Sequence, residues 1–398
     1  MKMTNCGKLL KRLLMLCLCL ALTAGCACAE NVVEISNGTG ESLDDLCALP
    51  DGRLLLGGSK KTASDTCTCA RLVCVNTDGS VSWEYTGPEQ DNTYRGFYGA
   101  AVLNDGTIAA MMIEEPQEGK PITIQFFTQD GKPTGKETAI DSWLVNFSLE
   151  PSFLVMGTAS TEGDSTEIFD WDGNKLNSYD GLVIAGGCGS VAQGDETVLY
   201  GTRNGRAVLM KTDGLPGGML WERTLDLQWP DTKEGQLYNA VKTEDGGYAA
   251  LLMEMVDSPD DEIMYRKALV KFSADGDVEW TSREEAESDL WDDMFVYNGK
   301  IVIYDYPPTD MDKPLVLRWF DMDGKESGTT ELTVKSADCP VLAGHAAEDA
   351  AQQKGMQFGR MLVFSAADGL WASAPAYTVD DRGFRDDAGT IMFKIPVL

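Results

Sequence analysis

The chain has 398 residues, 43% hydrophobic and 24% charged, which is enough apolar material for one large repeat architecture or two ordinary domains. Against 33 Lys and Arg stand 63 Asp and Glu, a formal net charge of −30, so no basic surface of useful size can be assembled and nucleic acid is not an expected partner. A single histidine, His345, rules out multi-histidine metal sites and leaves one candidate base for any Ser-His or Cys-His pair.

At the N-terminus Lys2, Lys8, Lys11 and Arg12 precede an apolar run from Leu13 to Ala24, and small residues follow at Ala27-Cys28-Ala29. This is the pattern of a secretory signal peptide over residues 1–29, with 30–398 as the mature chain. The apolar run has 12 residues, short of the roughly 20 that span a bilayer. Leu22-Thr23-Ala24-Gly25-Cys26 also resembles a bacterial lipoprotein box, in which the signal ends before Cys26 and that cysteine is lipidated, tethering the protein to a membrane face without inserting it. Its leucine stands one place further from the cysteine than usual, and both routes stay open. Either way the expected location is extracellular or the outer face of the cytoplasmic membrane. Four basic and no acidic residues precede Glu30, so the mature chain keeps 29 basic against 63 acidic residues and carries a solvated acidic coat. Of 11 cysteines, Cys47, Cys67, Cys69, Cys74, Cys188 and Cys339 lie beyond the leader; a local disulfide and buried free thiols are both open readings, and no metal site is expected from them.

From residue 41 onward a repeat dominates. A short apolar run followed by Asp-Gly occurs seven times, ending at Gly79, Gly131, Gly173, Gly214, Gly276, Gly324 and Gly369, with spacings of 41 to 62 residues. Most units carry an earlier turn as well: Asp51-Gly52, Asp105-Gly106, Asp245-Gly246 and Asn298-Gly299, while Pro151-Ser152 and Asp195-Glu196 hold that place in two units. Asp-Gly and Asn-Gly between apolar runs are strong hairpin signals, because glycine supplies the positive φ that such turns demand. Trp83, Trp221 and Trp280 recur a few residues past the second turn. Each unit therefore reads as four antiparallel strands, and radial stacking of such units is a β-propeller. The expected fold is all-β, a single propeller of four-stranded blades, with seven blades favoured over six or eight. In the last unit Ala346 to Lys354 reads as a short helix or loop, Met361 to Phe364 precedes Asp368-Gly369 as in the other second hairpins, and Gly389 to Val397 supplies a further strand. Val32-Val33-Glu34-Ile35 has no partner of its own and is expected to close the ring by pairing into the final blade.

Glu244-Asp245-Gly246-Gly247-Tyr248, then Ala268 to Gly276 with Glu279-Trp280, resembles the repeat of bacterial exported propeller proteins that border on the PQQ-like repeat family. The resemblance is well matched only around Asp245 and Asp78. It implies a propeller in the cell envelope, and it carries no activity, because that architecture hosts quinoprotein dehydrogenases, assembly scaffolds and lipoproteins alike.

Counting back from the first turn of each unit gives an innermost ring of Asp44, Tyr98, Leu144, Cys188, Tyr238 and Trp291, and a second of Asp45, Gly99, Val145, Gly189, Asn239 and Asp292. The candidate funnel, Asp44, Asp45, Tyr98, Tyr238, Asn239, Trp291 and Asp292, mixes aromatic faces with carboxylates and suits a cation or a sugar. A ring of side chains plugging the channel is the competing reading. Asp170-Trp171-Asp172-Gly173 and Asp321-Met322-Asp323-Gly324 look like calcium loops, but neither continues to a bidentate glutamate and both fall on hairpin turns. No Gly-x-Ser-x-Gly or Ser-x-x-Lys motif is present, Gly186-Gly187-Cys188-Gly189-Ser190 opens a strand and not a helix, and His345 reads as an incidental loop residue. No catalytic residue, metal or cofactor is assigned. The favoured function is a non-catalytic binding or scaffold module, monomeric, for a protein or glycan partner. The alternative is a propeller enzyme, either a carbohydrate-active hydrolase or lyase with acidic catalysts or a quinoprotein-like oxidoreductase. A quinone polyanion would want Arg or Lys in the funnel, and no ring position is basic.

Overall fold

A computed structural model describes residues 25–28, 30–36, 41–62, 67–90, 93–115, 122–141, 144–160, 163–189, 197–213, 218–256, 265–283, 291–305, 314–333, 355–358, 361–366, 369–379 and 385–395. His345, Cys339, Asp195-Glu196 and the helix or loop expected at Ala346 to Lys354 lie outside them, as do residues 1–24 of the leader.

The protein is a seven-bladed β-propeller of antiparallel sheets. Two short strands come first, β1 (Gly25–Cys28) and β2 (Glu30–Ser36). Blade one is β3 (Glu41–Ala48), β4 (Leu54–Lys61), β5 (Thr68–Val75) and β6 (Val81–Thr86). Blade two is β7 (Tyr94–Val102), β8 (Ile108–Glu115), β9 (Ile122–Phe127) and β10 (Pro133–Ile140), and blade three is β11 (Leu144–Leu149), β12 (Leu154–Ser160), β13 (Gly163–Phe169) and β14 (Lys175–Asp180). Blade four is β15 (Leu182–Gly189), β16 (Thr197–Arg203), β17 (Arg206–Thr212) and β18 (Met219–Thr224), and blade five is β19 (Thr232–Lys242), β20 (Tyr248–Val256), β21 (Tyr265–Phe272) and β22 (Val278–Arg283). Blade six is β23 (Trp291–Tyr297), β24 (Lys300–Asp305), β25 (Leu315–Asp321) and β26 (Glu326–Thr333), with β1 added in parallel along β26.

The last blade departs from the expected order. Its inner edge is made by β27 (Gly355–Phe358) and β28 (Leu362–Ala366), which pair in succession along β29 (Gly369–Val379), followed by β30 (Arg385–Ile395). Gly369 therefore belongs to the first hairpin of this blade, since it pairs with Ala366, and not to the third as the repeat count suggests. The chain supplies only three ranks of strand here, and β2 from the N-terminus pairs antiparallel with β30 as the fourth. Val33 and Ile35 thus close the ring by joining its two ends.

Apolar residues run consecutively through the middle strands because both faces of each sheet are buried. In β4, Leu54 and Leu56 pack with Trp371 and Met392 of blade seven, while Leu55 packs with Phe97 and Phe127 of blade two. Among the described residues there are seven such clusters, one at each blade-to-blade interface.

The Asp-Gly turns at Gly52, Gly79, Gly106, Gly131, Gly173, Gly246, Gly276 and Gly324 share one geometry. In the hairpin between β5 and β6, Asn76 N–H donates to Ser80 O at 2.8 Å and Gly79 N–H to Asn76 O at 2.9 Å. Asp78 Oδ1 accepts from Ser80 N–H at 3.0 Å, and Gly79 takes φ 82°. Aspartate thus caps the amide two residues on, and glycine makes the turn that a side chain would strain. The recurrent tryptophans explain the second reason for glycine. Trp280 of blade five lies over the Asp323-Gly324 turn of blade six, donating from its indole to Met322 O at 2.9 Å, and a Cβ on Gly324 would sit 2.9 Å from its ring. Trp83 does the same over Gly131, donating to Gln129 O at 3.0 Å, and the Trp221 ring covers Gly276. Where tryptophan is missing, Thr138 covers Gly173 and Val33 covers Gly79. The outer strand of one blade therefore caps the outer turn of the next.

Trp280→Phe keeps the ring and loses one hydrogen bond, and should cost about 1 kcal/mol in urea unfolding. Trp280→Ala removes the cap and should cost about 2–4 kcal/mol.

Candidate functional site

In a meander of four strands, the first and third hairpins lie at one end of the ring, the turn side. The second hairpins and the links between blades lie at the other, the loop side. Every innermost strand starts on the loop side, so its first residues form the mouth of the channel there.

Six of these innermost strands carry a β-bulge. One residue stands outside the ladder between Leu43 and Asp45 in β3, Phe97 and Gly99 in β7, Leu144 and Asn146 in β11, Ile184 and Gly186 in β15, Leu237 and Asn239 in β19, and Trp291 and Asp293 in β23. The bulge residues are Asp44, Tyr98, Val145, Ala185, Tyr238 and Asp292. Of the innermost ring expected from the sequence, Asp44, Tyr98 and Tyr238 fall on a bulge, while Leu144, Cys188 and Trp291 stay in the ladder. Pairing resumes after the bulges at Asp45, Gly99, Asn146, Gly186, Asn239 and Asp293, which includes Asp45, Gly99 and Asn239 of the expected second ring but not Val145, Gly189 or Asp292. The reason is turn length. Counting back from the turn works where the first hairpin is the five-residue Asp-Gly type. It fails where β23 and β24 join through the two-residue Asn298-Gly299 turn, where β11 and β12 join across Glu150 to Phe153, and along the longer connection after β15.

A signal for the ring was available in the sequence. Each bulge residue follows a large apolar residue and precedes Asp, Gly or Asn, as in Leu43-Asp44-Asp45, Ile184-Ala185-Gly186 and Leu237-Tyr238-Asn239. The preceding residues Leu43, Phe97, Ile184 and Leu237 are all buried in the interblade cores, so the apolar anchor fixes the face and the bulge then re-aims its neighbour.

At the bulge of β7, Tyr98 is 45% exposed, and its ring lies 3.1 Å from where a Cβ on Gly96 would stand. Tyr94 at the start of β7 is exposed too. Gly99 abuts Phe147 and Leu149 of blade three, where a Cβ would fall 2.5 Å from the Phe147 ring. Tyr238 is half-buried against the core between blades five and six, and the Lys267 ammonium stands 5.9 Å from its ring centroid. Asn239 donates from its side-chain amide to Asp293 Oδ1, tying blades five and six at the level just past the bulge, and Asp293 Oδ1 also accepts from Met294 N–H at 2.8 Å. Lys267 thus faces Tyr238 while Asn239 ties to Asp293, and Lys267, a buried cation on the third strand, was outside the reach of a ring count.

Elsewhere charged groups are spent on structure. Arg71 bonds Glu41 and Glu84 within blade one, Arg95 bonds Glu114 at 2.6 Å, and Arg266 bonds Asp231 at 2.5 Å. Lys271, with its side chain 1% exposed, reaches Asp245 at 2.9 Å and Glu279 at 3.2 Å. Burial would raise Asp245, but donors on Thr243, Lys271 and the Gly247 amide hold it down to about 2. In the suspected calcium loops Asp170 accepts from the Asp172 and Asn174 amides, Lys136 bonds Asp172 at 2.6 Å, and Lys300 bonds Asp321 at 3.1 Å, so these carboxylates serve the hairpins. Among the described residues no three His, Cys, Asp or Glu stand together as a metal site. Cys67, Cys69 and Cys74 are free thiols, and burial pushes Cys74 up to about 11. Cys47 and Cys74 both pair with Leu55 from opposite sides, which sets them two strands apart and beyond the reach of a disulfide.

No protein-family model matches the chain, and no curated protein matches it. Solved structures are similar to it. The Dos1 propeller does so at 10% identity and TM-score 0.42, over 74% of this chain and 90% of that one. A prolyl endopeptidase does so at 12% identity and TM-score 0.48, over 88% of this chain and 48% of that one. TolB from Acinetobacter baumannii does so at 12% identity and TM-score 0.35, over 86% and 80%. The likeness is one of architecture alone, and the blade count and closure rest on this chain's own strand pairing.

At the turn-side end of β11 the Glu150 carboxyl is buried, accepting from Ser148 at 2.7 Å and from Thr197 of the next blade at 3.3 Å. Burial pushes its pKa above the ordinary 4.5, and the two hydroxyls only partly offset that. The folded state then holds the proton more tightly than the unfolded chain, so stability falls as pH rises from the ordinary value through the raised one. Glu150→Gln should unfold at higher temperature than the parent at pH 8, with the difference shrinking towards zero below pH ~4. A constant difference at all pH values would show that Glu150 does not titrate there.

Proposed function

We propose that the chain is an exported cell-envelope β-propeller that acts as a binding or interaction module, without catalysis, through the loop-side mouth of its channel. The observation that carries this reading is the alignment of six bulges at one level of six innermost strands. A bulge gives up ladder pairing to re-aim a side chain, and a ring that only needed to pack would keep the pairing. By sequence the six bulge residues are two Asp, two Tyr, a Val and an Ala, residue types suited to recognition more than to a reaction centre. A quinone polyanion does not fit, because none of the six bulge residues is basic and Lys267 is outnumbered by the carboxylate positions at Asp44, Asp45, Asp292 and Asp293. The repeat's resemblance to the PQQ-like group is therefore taken to extend to architecture and not to cofactor.

Export rests on the leader pattern of Lys2 to Ala29, and the lipid tether on Cys26. In a bacterial host the full chain should leave the cytoplasm and lose its leader. If Cys26 is lipidated, the protein should partition into a detergent phase and Cys26→Ala should move it to the aqueous phase. A full-length product retained in the cytoplasm would overturn the exported reading.

For binding, Tyr98→Ala combined with Asp292→Asn should weaken capture of isolated envelope material about tenfold. Asp130→Ala with Lys132→Ala on the turn side should leave it unchanged. Equal loss in both variants would remove the mouth as the binding face.

A further inference from the structure

The seam between blades seven and one differs from the other interfaces in how the chain crosses it. Elsewhere the outermost strand of one blade leads on into the innermost strand of the next, so covalent chain spans the interface. The strands β27 to β30 have no such link to blade one. They are joined to it only because β2, which leads on into β3, pairs with β30. That pairing is itself broken by two register shifts, between Glu30 and Val33 and between Glu34 and Ser36.

The same seam carries polar atoms without a partner in the protein on both of its walls. On the wall of blade one, Leu56, Val73 and Val75 pack against Trp371 and Met392. Arg71 stands two residues before Val73 in β5 and shares that wall; its terminal nitrogens bond Glu41 and Glu84, the latter at 2.9 Å, and its Nε has no partner. On the wall of blade seven, Ser373 stands two residues past Trp371 and Thr390 two before Met392. Ser373 pairs with Met392 and Pro375 with Thr390, which makes the two hydroxyls diagonal neighbours on one face. Both residues are fully buried and neither hydroxyl has a partner. Because β5 and β30 run from the loop side to the turn side, Arg71 and Thr390 both lie on the loop side of the apolar contact.

Among the described residues six buried side-chain N and O atoms lack a partner, and three of them are at this one seam. Trp171, Tyr179 and Arg203 hold the others, at the two interfaces that flank blade three. An unpaired buried polar atom costs free energy that packing has to offset. A donor on one wall and two hydroxyls on the other suit a buried water, which accepts from the first and bonds the other two.

We propose that the loop-side half of this seam holds bound water between Arg71 Nε and the hydroxyls of Ser373 and Thr390, and that the ring opens at this interface. Opening peels β2 from β30 and parts the two walls while every other strand ladder stays intact, so it needs less free energy than global unfolding.

The water is tested by Thr390→Val and Ser373→Ala. Each removes a partner of the water and leaves Arg71 Nε unsatisfied, so each should melt a few degrees below the parent. If the hydroxyls are dry, removing an unpaired one raises the melting temperature, and that result overturns the bound water. Opening is read from native-state labelling with iodoacetamide, followed by peptide mass spectrometry. Val73→Cys puts a thiol on this seam, and Val270→Cys puts one in the third strand of blade five, in its core with blade four; both valines are fully buried. The thiol at position 73 should react about tenfold faster than the one at 270. Adding Thr390→Val should speed it further and leave position 270 unchanged. Equal rates at the two positions, or equal acceleration of both, would assign the exposure to global unfolding and overturn the seam. If Val73→Cys does not fold, Leu54→Cys on the same wall takes its place.

Discussion

The structure depends on burying both faces of each blade at once. A four-stranded sheet with Leu54, Leu55 and Leu56 in succession has no solvent side to offer, so it is stable only when a neighbour covers each face. Repeating the unit around a ring meets that demand everywhere except at the two chain ends. The chain solves the ends by splitting the last blade: three ranks come from the C-terminal region, and β2 comes from the N-terminus. Ring closure is thus a strand pairing and not a matter of packing alone, and the interface it creates between blades seven and one carries Ile35 and Val33 into the same core as Leu43 and Val73.

The turns act on that core from outside. An Asp-Gly hairpin would be only a local device if it stood alone, but each indole from the preceding blade lies against the glycine that the turn requires. One glycine thereby answers two demands, a positive φ and room for a ring. That coupling explains why the repeat pairs Asp-Gly with a tryptophan a few residues on. The tryptophan belongs to the blade of its own hairpin and covers the hairpin of the next, so the motif is a record of contacts between units. Thr138 and Val33, which cover the same turn where tryptophan is missing, show that the space is filled even when the indole hydrogen bond is given up.

Much of the fold was legible because hairpin chemistry and apolar runs are local signals. The four-strand unit, the all-β class, the blade number and the closing strand follow from residues such as Asp78-Gly79 and Val33 without any distant information. What was not legible depends on lengths of connection. Leu144, Cys188 and Trp291 were placed on the innermost ring by counting from turns of unequal size, and one to three residues of error moved them off the bulge. The last blade misled for a related reason: Asp368-Gly369 looks like every other second turn, and only the pairing of Ala366 with Gly369 shows it to be a first. Lys267 was hidden because it lies two strands away from the residue it faces, a relation no spacing along the chain expresses.

The same physics separates the two ends of the channel. On the turn side short hairpins, indoles and paired charges such as Lys271 with Asp245 and Glu279 use up the donors and acceptors, and little is left for an outside molecule. On the loop side the innermost strands begin, and partway along them six give up backbone pairing at one residue each. A bulge costs ladder hydrogen bonds and is stable only if the anchor before it is held firmly; Leu43, Phe97, Ile184 and Leu237, all buried between blades, supply that hold. The interblade cores therefore do more than stabilise the ring. They fix the level at which six innermost strands bulge, so the placing of Tyr98 and Tyr238 is set by packing of the residues that precede them.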